Sequence, residues 1–578
     1  MVEVLLASTV FVLLVTGLVG ALIYGRESST TAGQRGRATA LAEEGIEALR
    51  NLRDEGFANL VDGPHGLDEV SSEWQYSGTS DVTDGFARVV TIGSVDADTK
   101  SVTSTVTWQQ TPSRTGSVSL VTYLTDWQET VGGGPGGGSP ATYGGMLAYS
   151  DTTVNGGDGV VYKTLDTAGN WSAAANVPDI TVPNDRPAVR VELHASPTRN
   201  EKILLTKHAA NGSGADTYMY AQVWDGGTTS WGNLITLASW NGTADAGAQN
   251  FDGAYLSGGD FLLVFDNNDN TPLYRTWDGT TWSSAAGTLD VGGNPTWLHV
   301  AGRSGTNEAM MTTFDTGNDT NTALFDGTSW GGLTEHADPG NSPGFDQFDL
   351  AEFTWSQSDL TRGGLIYNEA NDSAPNIRIF DRTGGAFGSW GGTVENISIG
   401  ANVQAATVED NPAALEYVGC FEDANADITC LESDTTPSWS SPTNGVLDTD
   451  TGPGTERSFD FVYERVGGDR GLALYSGGNG SPRQFPKYRS YDPATNSFST
   501  DTAMVTIGDL LEAVELIADP RSDDIMAVMG ATDQDVWTVV WDGNSNVFVT
   551  TLGAALTEHG TNGTGDSDFW FDFAWNEF

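Results

Sequence analysis

The chain has 578 residues, with 77 acidic side chains against 26 basic ones and a formal net charge of −51. So long a chain outgrows one ordinary hydrophobic core, and several domains are expected. So negative a chain repels phosphate backbones and anionic headgroups, which argues against nucleic acid as a partner.

The charge is uneven. Residues 1–128 hold 16 acids and 8 bases, and the remaining 450 residues hold 61 and 18. Residues 4–24, "VLLASTVFVLLVTGLVGALIY", carry no charge, and Ser8, Thr9 and Thr16 are their only small polar side chains. At about 1.5 Å per residue they span about 31 Å as a helix, enough to cross a bilayer. A cleavable signal peptide would have a basic flank before it and a small-residue cleavage site after it, and this stretch has neither. The helical pattern instead continues through "ALAEEGIEALRNLRDEGFANL", with Leu41, Ile46, Leu49, Leu52 and Phe57 three to five residues apart. One long helix is predicted over residues 1–60, apolar in its first half and amphipathic in its second. One acid, Glu3, sits at its outer edge.

A lone glutamate beside a span-length apolar helix resembles the N-terminal helix of bacterial type IV pilins and pseudopilins. Mature chains of that family begin with an aromatic residue and carry a glutamate at the fifth position. "MVEVLLASTVFVLLVTGLVGALIYGR" matches with two residues ahead of Met1, and it lacks the basic leader, the cleavage glycine and the N-terminal phenylalanine. The resemblance implies a filament subunit whose helix spans the inner membrane before assembly and joins the filament core after it. Its partners would be other copies of itself and the pilus assembly machinery. It casts Val4, Leu5, Phe11, Leu14, Gly17, Gly20 and Tyr24 as core-helix positions, and Glu3 as the group that meets a neighbour's N-terminal amine and sets axial register. A carboxylate in an apolar bundle costs several kcal/mol unless it meets a cation; the alternative is a membrane-edge residue reaching for water. Gly17 and Gly20 would mark a stretch that unwinds on polymerisation, or simple close-packing positions.

From Glu73 onward the period changes to two. "EWQYSG", "GFARVVTIGSVD", "SVTSTVTWQQ" and "SVSLVTYLTDW" predict one small antiparallel sheet on the second half of the helix, forming a head over residues 61–130. "VGGGPGGGSPA", residues 131–141, reads as a flexible Gly/Pro-rich tether.

Residues 142–578 repeat one local pattern: a short strand, an aspartate, a tight turn and an aromatic. The aspartates are Asp166, Asp225, Asp278, Asp326, Asp381, Asp434, Asp492 and Asp542, at spacings of 59, 53, 48, 55, 53, 58 and 50 residues. A four-stranded propeller blade has about that length. The first unit lacks an inner strand and "FWFDFAWNEF" is left over at the C-terminus, so eight blades closed by the C-terminal strand are predicted. The pattern loosely resembles the Asp-box of sialidases, a hairpin feature remote from the active site. The expected fold is therefore an α+β pilin module, a long N-terminal helix with a small antiparallel sheet, followed by an all-β eight-bladed propeller.

Cys420 and Cys430 flank an Asp/Asn-rich turn, "CFEDANADITC", and are expected to form a disulfide across a hairpin, with two buried thiols as the alternative. Two cysteines cannot build a structural zinc site, and the six histidines show no ligand spacing. Oxygen-rich loops such as "DNNDNT", "DTGNDTN" and "EDANAD" suit calcium, with Asp266, Asp269, Asp315, Asp319, Asp423 and Asp427 as candidate ligands; solvated turns are the competing reading. Asn170, Asn211, Asn241 and Asn318 head Asn-x-Ser/Thr triplets. The leading expectation is a non-enzymatic subunit of an extracellular, surface-attached filament whose propeller binds an unknown ligand on a surface, glycan or cell. A pseudopilin or minor tip pilin, and a tethered glycoside-hydrolase-like propeller, are the alternatives.

Overall fold

A computed structural model describes residues 1–578 apart from 56–58, 71–72, 95–98, 112–113, 126–143, 154–158, 179, 184–185, 210–215, 242–248, 318, 338–350, 369–371, 435–437, 450–456, 467–469, 478–484, 550–556, 560–568 and 578. The proposed tether, Phe57, Asn211 and Asn318 lie outside the described residues. The chain forms two compact units, Met1–Gly132 and Gly133–Phe578.

In the first unit one helix, Val2–Glu55, runs unbroken for 54 residues, straight through Gly17 and Gly20. Its two halves meet different surroundings. Ala38, Ala42, Ile46, Ala48, Leu49 and Leu52 are buried. They pack on Val90, Ile92, Val102 and Leu124 at one end, and on Phe86, Val106 and Trp108 at the other. Gly45 lets the sheet approach closely: a Cβ there would stand 2.6 Å from Ser104 Oγ. The buried Arg88 ties sheet to helix, its Nε donating to Asp81 Oδ2 at 3.1 Å and its Nη1 to Leu41 O at 3.2 Å. The sheet order is Gly63–His65, Phe86–Ser94, Thr99–Thr111, Arg114–Thr125, with Asp81–Thr83 also pairing Phe86–Ser94. The sequence predicts Glu73–Tyr76 as a member of this sheet. It pairs instead with Leu67–Val70 as a separate hairpin. Gly66 makes that possible, exchanging backbone hydrogen bonds with Ser77 and Gly78 where any Cβ would strike Ser77 O at 2.4 Å.

The second unit is a ring of eight antiparallel sheets among the described residues, each of four strands with a fifth added in the last two. In blade order the innermost strands are Phe571–Trp575, Ala188–Ala195, Phe251–Tyr255, Pro295–Gly302, Ala351–Trp355, Val403–Asp410, Phe459–Tyr463 and Leu511–Ala518. Each packs on the next, and the eighth packs on the first, which closes the ring. The first blade is completed from the far end of the chain: Phe571, Phe573 and Trp575 lie opposite Tyr149, Leu147 and Gly145. The unit is thus a closed β-propeller, whose inner strand edges are short and turned toward the axis.

The blades alternate in kind. Inner strands of odd blades are five residues long and regular, reading "FDFAW", "FDGAY", "AEFTW" and "FDFVY". Those of even blades are eight residues long, and each has a register shift at its second residue. The extra residue turns the strand and re-aims the side chains after it. Carboxylates between blades keep the same beat: Glu201, Glu308, Glu416 and Asp524 follow one another at 107, 108 and 108 residues. The first three accept hydrogen bonds from the following odd blade, Glu201 from Trp277 Nε1 at 3.2 Å, Glu308 from Arg382 Nη2 at 2.6 Å and Glu416 from Tyr491 Oη at 3.1 Å. The true repeat is a pair of blades.

The recurrent hairpin aspartates act mechanically. Asp166, Asp225, Asp278, Asp326, Asp381, Asp492 and Asp542 each accept the backbone N–H two residues on, at 2.7–3.0 Å. Such a bond closes the turn locally. The aromatic that follows packs on its own blade, as Trp231 does on Trp224 with ring centroids 5.4 Å apart.

Cys420 and Cys430 are directly opposite on neighbouring strands of blade 6 and form a disulfide, fully buried. Closing so short a loop contributes about 3 kcal/mol by restricting the unfolded chain. Cys420→Ser/Cys430→Ser is therefore expected to lower the propeller's melting temperature by several degrees. Reductant should act on the native protein only under conditions that already open blade 6, and rapid reduction of the folded protein would contradict this packing.

Candidate functional site

Two regions carry chemistry. The first is the front half of the helix. Residues 2–22 are exposed and strongly apolar, with a mean hydropathy of 2.4 in their most apolar window. Val4, Leu5, Phe11, Leu14 and Tyr24 are each at least 64 % exposed. The hydroxyls of Ser8, Thr9 and Thr16 donate back to Leu5 O, Leu5 O and Val12 O at 2.7–2.9 Å. No polar side chain between Glu3 and Tyr24 is therefore left for water to satisfy, as a helix in an apolar medium requires. Glu3 sits in the first turn.

The second region is the propeller axis. The second residue of every odd inner strand is an acid: Asp572, Asp252, Glu352 and Asp460. Each accepts a backbone N–H from the following even blade, Leu193 at 2.5 Å, Val300 at 2.6 Å, Val408 at 3.0 Å and Leu516 at 2.7 Å. These bonds join the blades in pairs and hold four carboxylates around the axis. The even blades add Glu192, His194, His299, Glu409, Asp410 and Glu515. Arg457 Nη2 donates to Asp460 Oδ1 at 2.6 Å, and Arg190 Nε donates to Glu192 Oε1 at 2.8 Å. The Arg190 guanidinium lies over Phe569 and Trp297, 4.9 and 5.1 Å from the ring centres.

Crowded, buried carboxylates cannot all ionise. Burial pushes Asp572 up to about 7, and burial with the neighbouring Asp572 and Asp460 holds Glu515 well above the usual carboxylate range. Burial opposes protonation of His299, but Asp252 outweighs it and raises the imidazole to about 9. On the far side of the axis one cation serves two acids: Arg465 is 2.9 Å from Glu409 and 3.3 Å from Asp410. Burial pushes Glu409 up to about 8, against the pull of Arg465 and with repulsion from Asp410, Glu352 and Asp460. Its folded value lies above that of an unfolded glutamate, so the folded state binds more protons between the two. Stability from this group is complete below about pH 4 and is lost as pH rises through about 8. The propeller's melting temperature is expected to fall between pH 6 and pH 9, and Glu409→Gln should flatten that fall. An unchanged slope in the variant would show that Glu409 is ionised throughout.

Two cavities open on the propeller, and one of them reaches the axial groups through His194. One, of about 310 Å³, lies at an end of the inner strands and is lined by His194, Tyr255, Pro520, Trp575 and Glu577 among others. The other, of about 440 Å³, lies between blades 2 and 3 with Arg199, Glu201, Asp225, Trp231 and Trp277 in its wall.

The suggested calcium ligands stay in three separate loops. Asp266, Asp315 and Asp423 are buried, and each turns an oxygen onto its own loop's backbone: Asn268 N at 2.7 Å, Gly317 N at 2.7 Å and Asn425 N at 2.8 Å. Asp319 and Asp427 follow in the last two of these loops, where their own N–H groups reach Asp315 and Asp423 at 3.4 and 3.1 Å. Asp269 Oδ1 accepts from Asn270 N at 2.8 Å. Asn170 is engaged with Asp166, its Nδ2 donating at 3.2 Å. The axial acids and His194 escape the sequence reading because their partners stand one blade away in the chain. The one readable signal is the recurring "FDF", "FDG" or "AEF" that opens every second blade.

No family model and no curated protein matches the chain. Solved structures do. The BP39L lectin from Burkholderia pseudomallei is 11% identical, over 62% of this chain and 98% of that one, with a TM-score of 0.42. The periplasmic gluconolactonase PpgL of Pseudomonas aeruginosa is 10% identical over 63% and 96%, with a TM-score of 0.38. The β-propeller domain of the Trilobed protease from Pyrococcus furiosus is 9% identical over 65% and 99%, with a TM-score of 0.36. The propeller assignment rests on the closed ring of sheets rather than on these similarities, and the pilin resemblance rests on the residues of the helix.

Proposed function

We propose that this chain is a pilin-like filament subunit, anchored through its N-terminal helix, whose propeller serves as a recognition domain at the cell surface. One observation carries the reading: the second half of the helix buries its apolar face under its own sheet, while residues 2–22 present an apolar surface on every side. Such a surface needs a bilayer or other helices around it. Copies of the same helix meet that need in a filament, and the bilayer meets it before assembly. The disulfide of blade 6 fits an oxidising, extracellular setting.

With so negative a chain, polyanions are poor ligands, and a neutral glycan suits carboxylates set beside tryptophan rings, as in the cavity between blades 2 and 3. Filaments should gain avidity from many propellers at fixed spacing. Whole filaments are therefore expected to adhere to a glycan surface far more strongly than residues 142–578 alone, and equal adhesion would contradict multivalent display.

A second reading is supported by the axis itself, where Asp572 and Glu515 are neighbouring carboxyls both held above their usual range. A protonated and an ionised acid side by side can serve as general acid and base, which would make the propeller a tethered sugar-processing domain. Turnover of glycosides or sugar lactones by the wild type, lost in Glu515→Gln, would favour this over pure recognition.

A further inference from the structure

We infer that Glu192, His194 and Asp252 form a binding site for one divalent transition-metal ion of the zinc class, beside the axis of the propeller. The three offer one ligand atom each, and these atoms lie within 4.8 Å of one another. His194 Nε2 stands 3.8 Å from Glu192 Oε2 and 3.8 Å from Asp252 Oδ1. Two atoms that each bind an ion at about 2.1 Å cannot stand more than about 4.2 Å apart, so both pairs already allow a shared ion. A small side-chain rotation brings in the third.

The second observation is independent of this spacing. Glu192 is only 8 % exposed, yet among the described residues neither its Oε2 nor His194 Nε2, 3.8 Å away, has a partner within hydrogen-bond distance. A buried carboxylate oxygen without a donor costs free energy, and a cation at this point removes that cost. The ligand side chains are held in place by neighbouring groups. Arg190 Nε holds Glu192 Oε1 at 2.8 Å. Val300 N at 2.6 Å and His299 Nδ1 at 3.2 Å meet Asp252 Oδ2, and Gly253 N meets Oδ1 at 2.6 Å. Such outer contacts orient metal ligands and tune their affinity. The even-blade bulge at Ala188/Arg190 precedes both Glu192 and His194, which then lie two residues apart on one face of the strand. His194 also lines the 310 Å³ cavity, which supplies an entry path.

The donor set decides the ion. One imidazole with two carboxylates, three protein ligands in all, suits zinc or a similar borderline ion with water completing the shell. Calcium demands six to eight oxygens and is disfavoured by the imidazole. The site does not depend on whether the helix polymerises.

The test is zinc titration of the full chain in detergent, with millimolar magnesium and calcium present to occupy exposed carboxylates. One tightly bound zinc per chain is expected, with a rise in the propeller's melting temperature. X-ray absorption should show a single imidazole and light oxygen donors at about 2.0–2.1 Å. Glu192→Gln and His194→Gln should each weaken binding at least about tenfold, and His299→Gln, which removes the ring spanning Asp252 Oδ2 and Phe353 O, about tenfold as well. Circular dichroism and the zinc-free melting temperature of each variant separate lost ligation from lost fold. The inference is overturned by zinc bound as tightly in Glu192→Gln and His194→Gln as in the parent, by displacement of zinc by equimolar calcium, or by no binding. The last outcome would leave a protonated His194 bridging the two acids.

Discussion

Deleting residues 569–578 is expected to abolish the cooperative thermal transition of the propeller. The segment includes Phe569, Trp570, Phe571, Phe573 and Trp575, all buried. Cutting a single buried Phe or Trp to alanine costs about 3–5 kcal/mol, whereas a whole domain is stable by only about 5–15 kcal/mol. Loss of the strand also exposes the edge of Gly145–Asp151 and removes Asp572, whose bond to Leu193 N joins blades 1 and 2. Trp575 Nε1 donates to Ile517 O at 2.8 Å, so the contact with blade 8 goes as well. Circular dichroism melts would show a broad, low transition or none. A truncated chain melting within a few degrees of the parent would mean that blade 1 closes without its C-terminal strand.

Glu3→Ala and Glu3→Gln are expected to leave both folded units intact while reducing filament yield at least about tenfold, since each removes an ionic partner whose burial is tolerable only when paired. An acid in the first helical turn also interacts favourably with the helix dipole, at about 0.3–1 kcal/mol. That effect is too small to melt a helix of 54 residues. Lost filaments with unchanged helicity therefore isolate the intersubunit role. Normal filament yield from both variants would remove Glu3 from assembly and leave it as a membrane-edge residue.

What could be read from the sequence was what is local. The helix is legible because its period and its missing charges lie within one continuous stretch. The hairpin aspartates are legible because each acts on the backbone two residues on. The cysteines face each other because a hairpin of ten residues leaves little choice. The axial site is different in kind. Asp252 meets Glu192 and His194 across sixty and fifty-eight residues of chain, and Asp572 meets Leu193 across the whole ring. Spacing between histidines carries no trace of that. The pairing of blades was equally hidden. The hairpin aspartates mark every blade alike, whereas the inner strands that differ are short, and loops of unequal length blur their period of about 108 residues. In the head, Glu73–Tyr76 has the alternation of a sheet strand but pairs elsewhere, because a glycine at position 66 lets the chain fold back first.

In the proposed filament, the exposed apolar helix is covered by copies of itself. Cryo-electron microscopy of filaments sheared from cells that express the chain tests it most directly. A core built from the helices is expected, with Glu3 against the N-terminal amine of a neighbouring subunit and one propeller per subunit. Finding the chain only in the membrane fraction, as single copies with no filament containing it, would contradict it.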